Sequence, residues 1–149
     1  MITHSKDLTK QAANSPRHRT GGYALLSRMT DKARADIAGT IGDYHTNCPL
    51  DHRLLDWKGV EYGVVRKALE AGATDEEIAR HLDTHGTPKT PEEIRAWSDG
   101  VDKATMHGEP EKGSWFDGEC EKLGLNGAKT TTFEWLEADD RASYVRTGR

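Results

Sequence analysis

Long apolar runs are missing from this sequence. None approaches the roughly 18 residues that a bilayer-spanning helix needs. The opening stretch, MITHSKDLTKQAANSPRHR, carries basic residues without the hydrophobic segment of a secretory signal. Cysteine is scarce too: Cys48 and Cys120 stand far apart. That excludes a disulfide framework and sets a reducing cytoplasm as the expected location. There is no G-x-x-x-x-G-K-[ST] and no G-x-G-x-x-G after a strand, so no nucleotide cofactor is expected. A G-x-S-x-G elbow and zinc-finger spacing are likewise absent. Positive charge is not in excess: the net charge is −4, and aromatic residues do not alternate along a basic stripe. Neither a nucleic-acid partner nor a membrane partner is expected.

What is present suits one globular domain. Charged residues make up 31% of 149 residues and hydrophobic ones 34%, polar but still enough for a core. The charge is uneven. Residues 1–34 hold seven basic against two acidic side chains, while the rest holds 14 against 23. An acidic body with a basic first quarter can draw a small anion to one face.

Residues 1–20 show no apolar period and are expected to form a flexible basic arm, followed by an all-helical domain over 21–149. Tyr23, Leu25, Leu26, Met29, Ala33, Ile37 and Ile41 recur at helical spacing, which predicts a first helix over about 22–38. Pro49 starts a short helix closed by Gly59. VEYGVVRKALEAG predicts another, with Gly72 as its stop. Thr74 with Glu77, Thr90 with Glu93 and Thr131 with Glu134 are three capping boxes, each opening a helix. SWFDGECEKLGL adds one more, and the last helix is expected to run about ten residues. The β-branched run TTTF at 130–133 is the one strand candidate, and the capping signal outweighs it. The expected fold is all-α: a single domain of six or seven short helices.

GDYHTNCPLDHR, residues 42–53, concentrates the chemistry. His45, Cys48 and His52 give H-x2-C-x3-H, with Asp43 or Asp51 as a fourth donor, so a metal site is one alternative. His81 and His85, at i and i+4, form a second candidate pair. No metal is assigned, because both groups also suit surface histidines. A second alternative is a thiol nucleophile. Cys48 precedes a proline-started helix whose N–H groups stabilise an anion, with His45 as base and Asn47 or Asp51 as orienting group. A third is an anion site. Arg28 and Lys32 lie one turn apart near the apolar boundary of the first helix, where an Arg pairs with a carboxylate, either Asp51, Asp56 or a ligand's. Tyr44, Trp57 and Trp135 would make such a pocket partly aromatic. Trp97, Trp115 and Trp135 are otherwise expected in the core.

Four segments, RMTDKAR at 28–34, GTIGDYHTNCPLD at 39–51, GATDEE at 72–77 and FEWLEAD at 133–139, together resemble a small bacterial family known as a domain of unknown function. The resemblance implies a compact helical protein of the bacterial cytoplasm. It favours Arg28, Lys32, Tyr44, Asn47, Cys48 and Asp51 over His45 and His52. The functional expectation is a small cofactor-independent enzyme of lyase, isomerase or hydrolase type. Its substrate would be a small anion with an aromatic body. Arg28 and Lys32 would hold the anion, Tyr44 or His45 would move a proton, and Cys48 with Asp51 would line or attack the reacting centre. Asn47 and Trp57 would complete the site, and a homo-oligomer is left open. The alternative is a non-catalytic binding or interaction module in which the Asn-Cys-Pro-Leu-Asp turn is structural.

Overall fold

Thr74, Thr90 and Thr131 each cap a helix. Their hydroxyls accept from Glu77, Glu93 and Glu134 N–H at 3.2, 3.1 and 3.1 Å, and the glutamates accept from the threonine N–H groups in return. The computed structural model, which describes residues 5–146, contains seven α-helices in this order. They are α1 Leu26–Ala38, α2 Pro49–Lys58, α3 Tyr62–Glu70, α4 Asp75–Thr84, α5 Pro91–Lys103, α6 Gly113–Lys122 and α7 Thr132–Arg146. Among the described residues there is no strand, only an isolated bridge between Thr20 and Tyr23. The all-α expectation holds, and TTTF lies across the start of α7.

Two boundaries differ from expectation. α1 starts at Leu26 rather than near 22, because Tyr23 bonds back to Thr20 and Leu25 adopts φ 71° while its N–H reaches Pro16 O at 2.9 Å. Tyr23 and Leu25 are buried all the same, so their apolar signal was real but not helical. α7 runs 15 residues rather than ten, since no glycine or proline interrupts ADDRASYVR.

α1 is the axis of the molecule. Residues 26–35 are all buried, although the sequence shows one apolar face. Its apolar side packs into the main core with Leu54, Leu55, Val65, Leu69, Ile78 and Leu82 of α2, α3 and α4. Its charged side is buried too, and every ion on it has a partner from a different element. Asp31 pairs with Lys6 at 2.9 Å, Lys32 with Asp51 of α2 at 3.0 Å, Arg34 with Asp75 of α4 at 2.8 Å and Arg28 with Asp140 of α7 at 2.8 Å. Ionic pairing is what allows a charged helix face to leave water.

Residues 5–20, expected as a flexible arm, lie docked along α1. Leu8 and Ala13 are buried beside Ala35, Leu8 N–H donates to Thr40 O at 2.9 Å, and Arg17 pairs with Glu137 of α7. Two isolated apolar residues make no period, so nothing local announced this packing. Residues 1–4 of the expected arm lie outside the described residues. Among the described residues no helix is long and apolar enough to cross a membrane.

Candidate functional site: a thiol beside an aromatic cavity

The residue before a proline is pushed to extended backbone, and Cys48 has φ −88°, ψ 169°. Asn47, at φ 52°, turns the chain into it. The Cys48 N–H donates to Asp51 Oδ2 at 3.4 Å, a first-turn carboxylate on the positive end of α2. Asp51 Oδ1 also takes Lys32 Nζ at 3.0 Å, and the same ammonium donates to Cys48 Sγ at 3.3 Å. Thiol, ammonium and carboxylate thus form one cluster where α1 meets α2. Lys32 and Asp51 are only 4% and 3% exposed.

A cavity of about 490 Å³ borders this cluster. α1 supplies Arg28 and Lys32, the loop supplies Asp43, Tyr44, His45 and Cys48, and Pro49 and Leu50 come from α2. Trp115 of α6 and a stripe of α7 (Trp135, Leu136, Asp139, Asp140, Ser143 and Tyr144) close the far wall, with Leu8 from the N-terminal segment. Trp115 and Trp135 meet edge to face at 5.4 Å.

Arg28 binds Asp140 through both terminal nitrogens, at 2.8 and 3.3 Å, and Tyr44 OH donates to Asp140 Oδ1 at 2.8 Å. The guanidinium also lies 5.3 Å from the Tyr44 ring centroid. Burial first, then the Asp140 charge, push the Tyr44 hydroxyl well above the ordinary phenol range. It therefore stays protonated, committed to Asp140, and is no proton carrier near neutrality. Of the two residues expected to move a proton, the exposed His45 on the cavity wall is the better suited.

Arg28, Lys32, Tyr44, His45 and Cys48 come together as the sequence suggested, with Asp51 buried behind them. Asn47 and Trp57 do not. Asn47 faces a different hollow and contacts His52 Nε2, which also puts His52 Nδ1 at 2.9 Å from Asp56. Trp57 stacks on Trp97 at 4.8 Å, tying α2 to α5. Arg28 finds neither Asp51 nor Asp56, the carboxylates near it in sequence, but one 112 residues away.

The histidine arrangements do not gather. His45 lines the cavity while His52 sits with Asn47. Among the described residues no group of three or more His, Cys, Asp or Glu is placed to hold a metal ion. His81 and His85 do share a face, but their rings stack at 3.9 Å, and His85 Nδ1 is bonded to Thr84 and the His81 carbonyl. Burial, then His85, hold His81 below the ordinary imidazole range.

Of the far wall, sequence reasoning anticipated Trp135 alone, as an aromatic part of the pocket, and it does line the cavity. Trp115, expected in the core, is 52% exposed and lines the cavity beside it. Leu136, Asp140, Ser143 and Tyr144 recur at three- and four-residue spacing, a helical stripe that could have been found in FEWLEADDRASY.

A family model described as "Domain of unknown function (DUF5069)" matches residues 10–142, a span that holds every cavity residue except Leu8, Ser143 and Tyr144. No curated protein matches the chain.

Proposed function

This chain belongs to the DUF5069 family, and from that premise we propose that it is a small cofactor-independent enzyme that uses Cys48 as a nucleophile on a small molecule. One observation carries the reading: the sulfur that borders the cavity also receives a hydrogen bond from a buried ammonium, Lys32 Nζ at 3.3 Å. Such a donor stabilises negative charge on sulfur. The chemistry that fits best is hydrolytic. His45 takes the thiol proton, the thiolate adds to the carbonyl carbon of an acyl substrate, His45 returns that proton to the departing group, and water then cleaves the acyl-sulfur bond, releasing the acid and restoring the thiol. Lys32 and Asp51 position the thiol. Arg28 and Tyr44 hold Asp140 and so hold α7 over the cavity. An anion could be gripped by Arg28 or Lys32 only by displacing Asp140 or Asp51. A bacterial cytoplasm, where two free thiols persist, is part of the same proposal.

Cys120 provides an internal control, being fully buried in α6. Brief iodoacetamide treatment followed by peptide mass spectrometry should modify Cys48 and spare Cys120. 4-Nitrophenyl acetate should give a burst of one nitrophenolate per chain, lost in Cys48→Ala with the melting temperature retained. A burst that survives in Cys48→Ala sinks the proposal. The non-catalytic reading also has a specific support, since Asp51 caps α2 through the Cys48 N–H. On that reading Cys48→Ala lowers the melting temperature and no burst exists to lose.

A further inference from the structure

We propose that Cys48 and Lys32 are an oxidation-sensitive covalent pair: a peroxide converts the Cys48 thiol to a sulfenic acid, and the Lys32 amine then closes on the sulfur as a sulfenamide. The link itself stands on the geometry of the two side chains. Its consequence for turnover rests on the thiol reading above.

The two atoms to be joined are already in contact, Lys32 Nζ lying 3.3 Å from Cys48 Sγ. They come from α1 and from the residue that precedes α2, 16 positions apart in the chain. The lysine has little freedom to leave. Its side chain is 4% exposed, and Asp51 Oδ1 also holds Nζ, at 3.0 Å. Asp51 in turn takes the Cys48 N–H at 3.4 Å, so one carboxylate fixes both partners. A long side chain ordered in advance meets the sulfur at little further entropic cost. The sulfur, unlike the amine, is within reach of a small oxidant. Cys48 is half-buried and borders the cavity of about 490 Å³, ample for hydrogen peroxide. Accessible thiols beside a positive charge are the ones that oxidise first.

The chemistry balances with one peroxide. Sulfur gives two electrons to the O–O bond as the thiol becomes S–OH, and one water leaves. The Lys32 ammonium then gives a proton to Asp51, the carboxylate already bonded to it. Nζ attacks sulfur, the N–S bond forms as the S–O bond breaks, and the departing hydroxide takes a second proton from nitrogen to leave as water. Lysine and aspartate lose their charges together, which avoids a buried ion without its counterion. Two thiols reverse the link, returning thiol and amine and leaving a disulfide of the reductant. Cys120 marks the contrast. It is fully buried, and burial, then Asp117 and Glu119, push its thiol up, so peroxide should leave it reduced.

Peptide mass spectrometry decides the matter. The full chain is treated with hydrogen peroxide at neutral pH, alkylated in denaturant and digested with trypsin, which cannot cut after a lysine whose amine is bonded to sulfur. Residues 29–34 should therefore appear joined to residues 35–53, lighter than the two peptides together by the mass of two hydrogen atoms. Dithiothreitol before alkylation should abolish the joined pair and restore cleavage after Lys32. Cys48→Ser should give no pair, and Cys120 should be recovered alkylated throughout. Cys48 left as a free thiol, or found as a sulfinic acid, a sulfonic acid or a disulfide, with cleavage after Lys32 intact, overturns the inference. A joined pair that carries an added oxygen, or one that persists in Cys48→Ser, overturns it as well. The burst from 4-nitrophenyl acetate should fall in step with the joined pair and return with dithiothreitol. A pair formed in a chain that shows no burst sinks the thiol reading and supports the link; a burst in a chain that never forms the pair sinks the link and leaves the thiol reading standing.

Discussion

Lys32 shows how one buried side chain can serve scaffold and site together. Its ammonium satisfies Asp51, which caps α2, and also reaches the Cys48 sulfur. Removing a single partner from a buried ion pair leaves the other charge uncompensated, at about 3–5 kcal/mol. Lys32→Met should therefore lower stability by about that much in urea unfolding, while Lys32→Met combined with Asp51→Leu should recover most of it. If the single variant unfolds like the wild type, the pair is not holding α2 to α1. The residue identities at this joint were legible in sequence: Arg28, Lys32, Tyr44, His45 and Cys48 do share a cavity. Their partners were not. Which carboxylate answers Arg28 depends on where α7 lies, and spacing along the chain carries no such information.

At the scale of helices, local chemistry set the boundaries. Thr90 and Glu93 exchange hydrogen bonds at the start of α5, and Pro91 occupies the first helical position. Thr90→Ala should cost about 1 kcal/mol, measurable as a lower unfolding midpoint at unchanged slope. The Thr90 backbone N–H holds the Glu93 carboxyl below its ordinary range. A carboxyl lowered on folding adds stability that is complete above its unfolded value and disappears as pH falls through the folded one. The stability gap between wild type and Glu93→Gln should thus exist at neutral pH and close as pH falls through and below the ordinary carboxylate range; a gap unchanged in acid would show that charge is irrelevant to this cap. α1 departs from simple amphipathic reasoning. Periodicity marks its apolar face, but its R-x-x-D-K-A-R face is buried as well, by four ion pairs with four separate segments. Hydropathy treats those four charges as surface because it cannot see their partners.

The two ends of the described chain meet at the cavity. Leu8 lines one side of it and α7 the other, and Tyr144 OH donates to the Leu8 carbonyl at 2.6 Å. The N-terminal segment is therefore part of the tertiary structure, and Leu8→Ala tests this. Loss of a buried leucine side chain should cost about 2–3 kcal/mol, at the low end of its class because a cavity already adjoins it. Thermal unfolding that is unaffected by Leu8→Ala would show that the segment contributes no packing. The same variant should enlarge the site, so the nitrophenolate burst should change with it, whereas a change at the distant Trp57–Trp97 stack should leave the burst as it is.

Sequence alone determined which segments are helical, the three threonine caps and the chemical content of the 42–53 loop, because each of these is settled within one or two turns of chain. Only the tertiary structure decided that a charged helix becomes the central axis, that Trp115 walls a cavity while Trp57 does not, and that Arg28 and Lys32 are already answered by carboxylates. Those outcomes depend on how distant segments pack, which spacing along the chain does not encode.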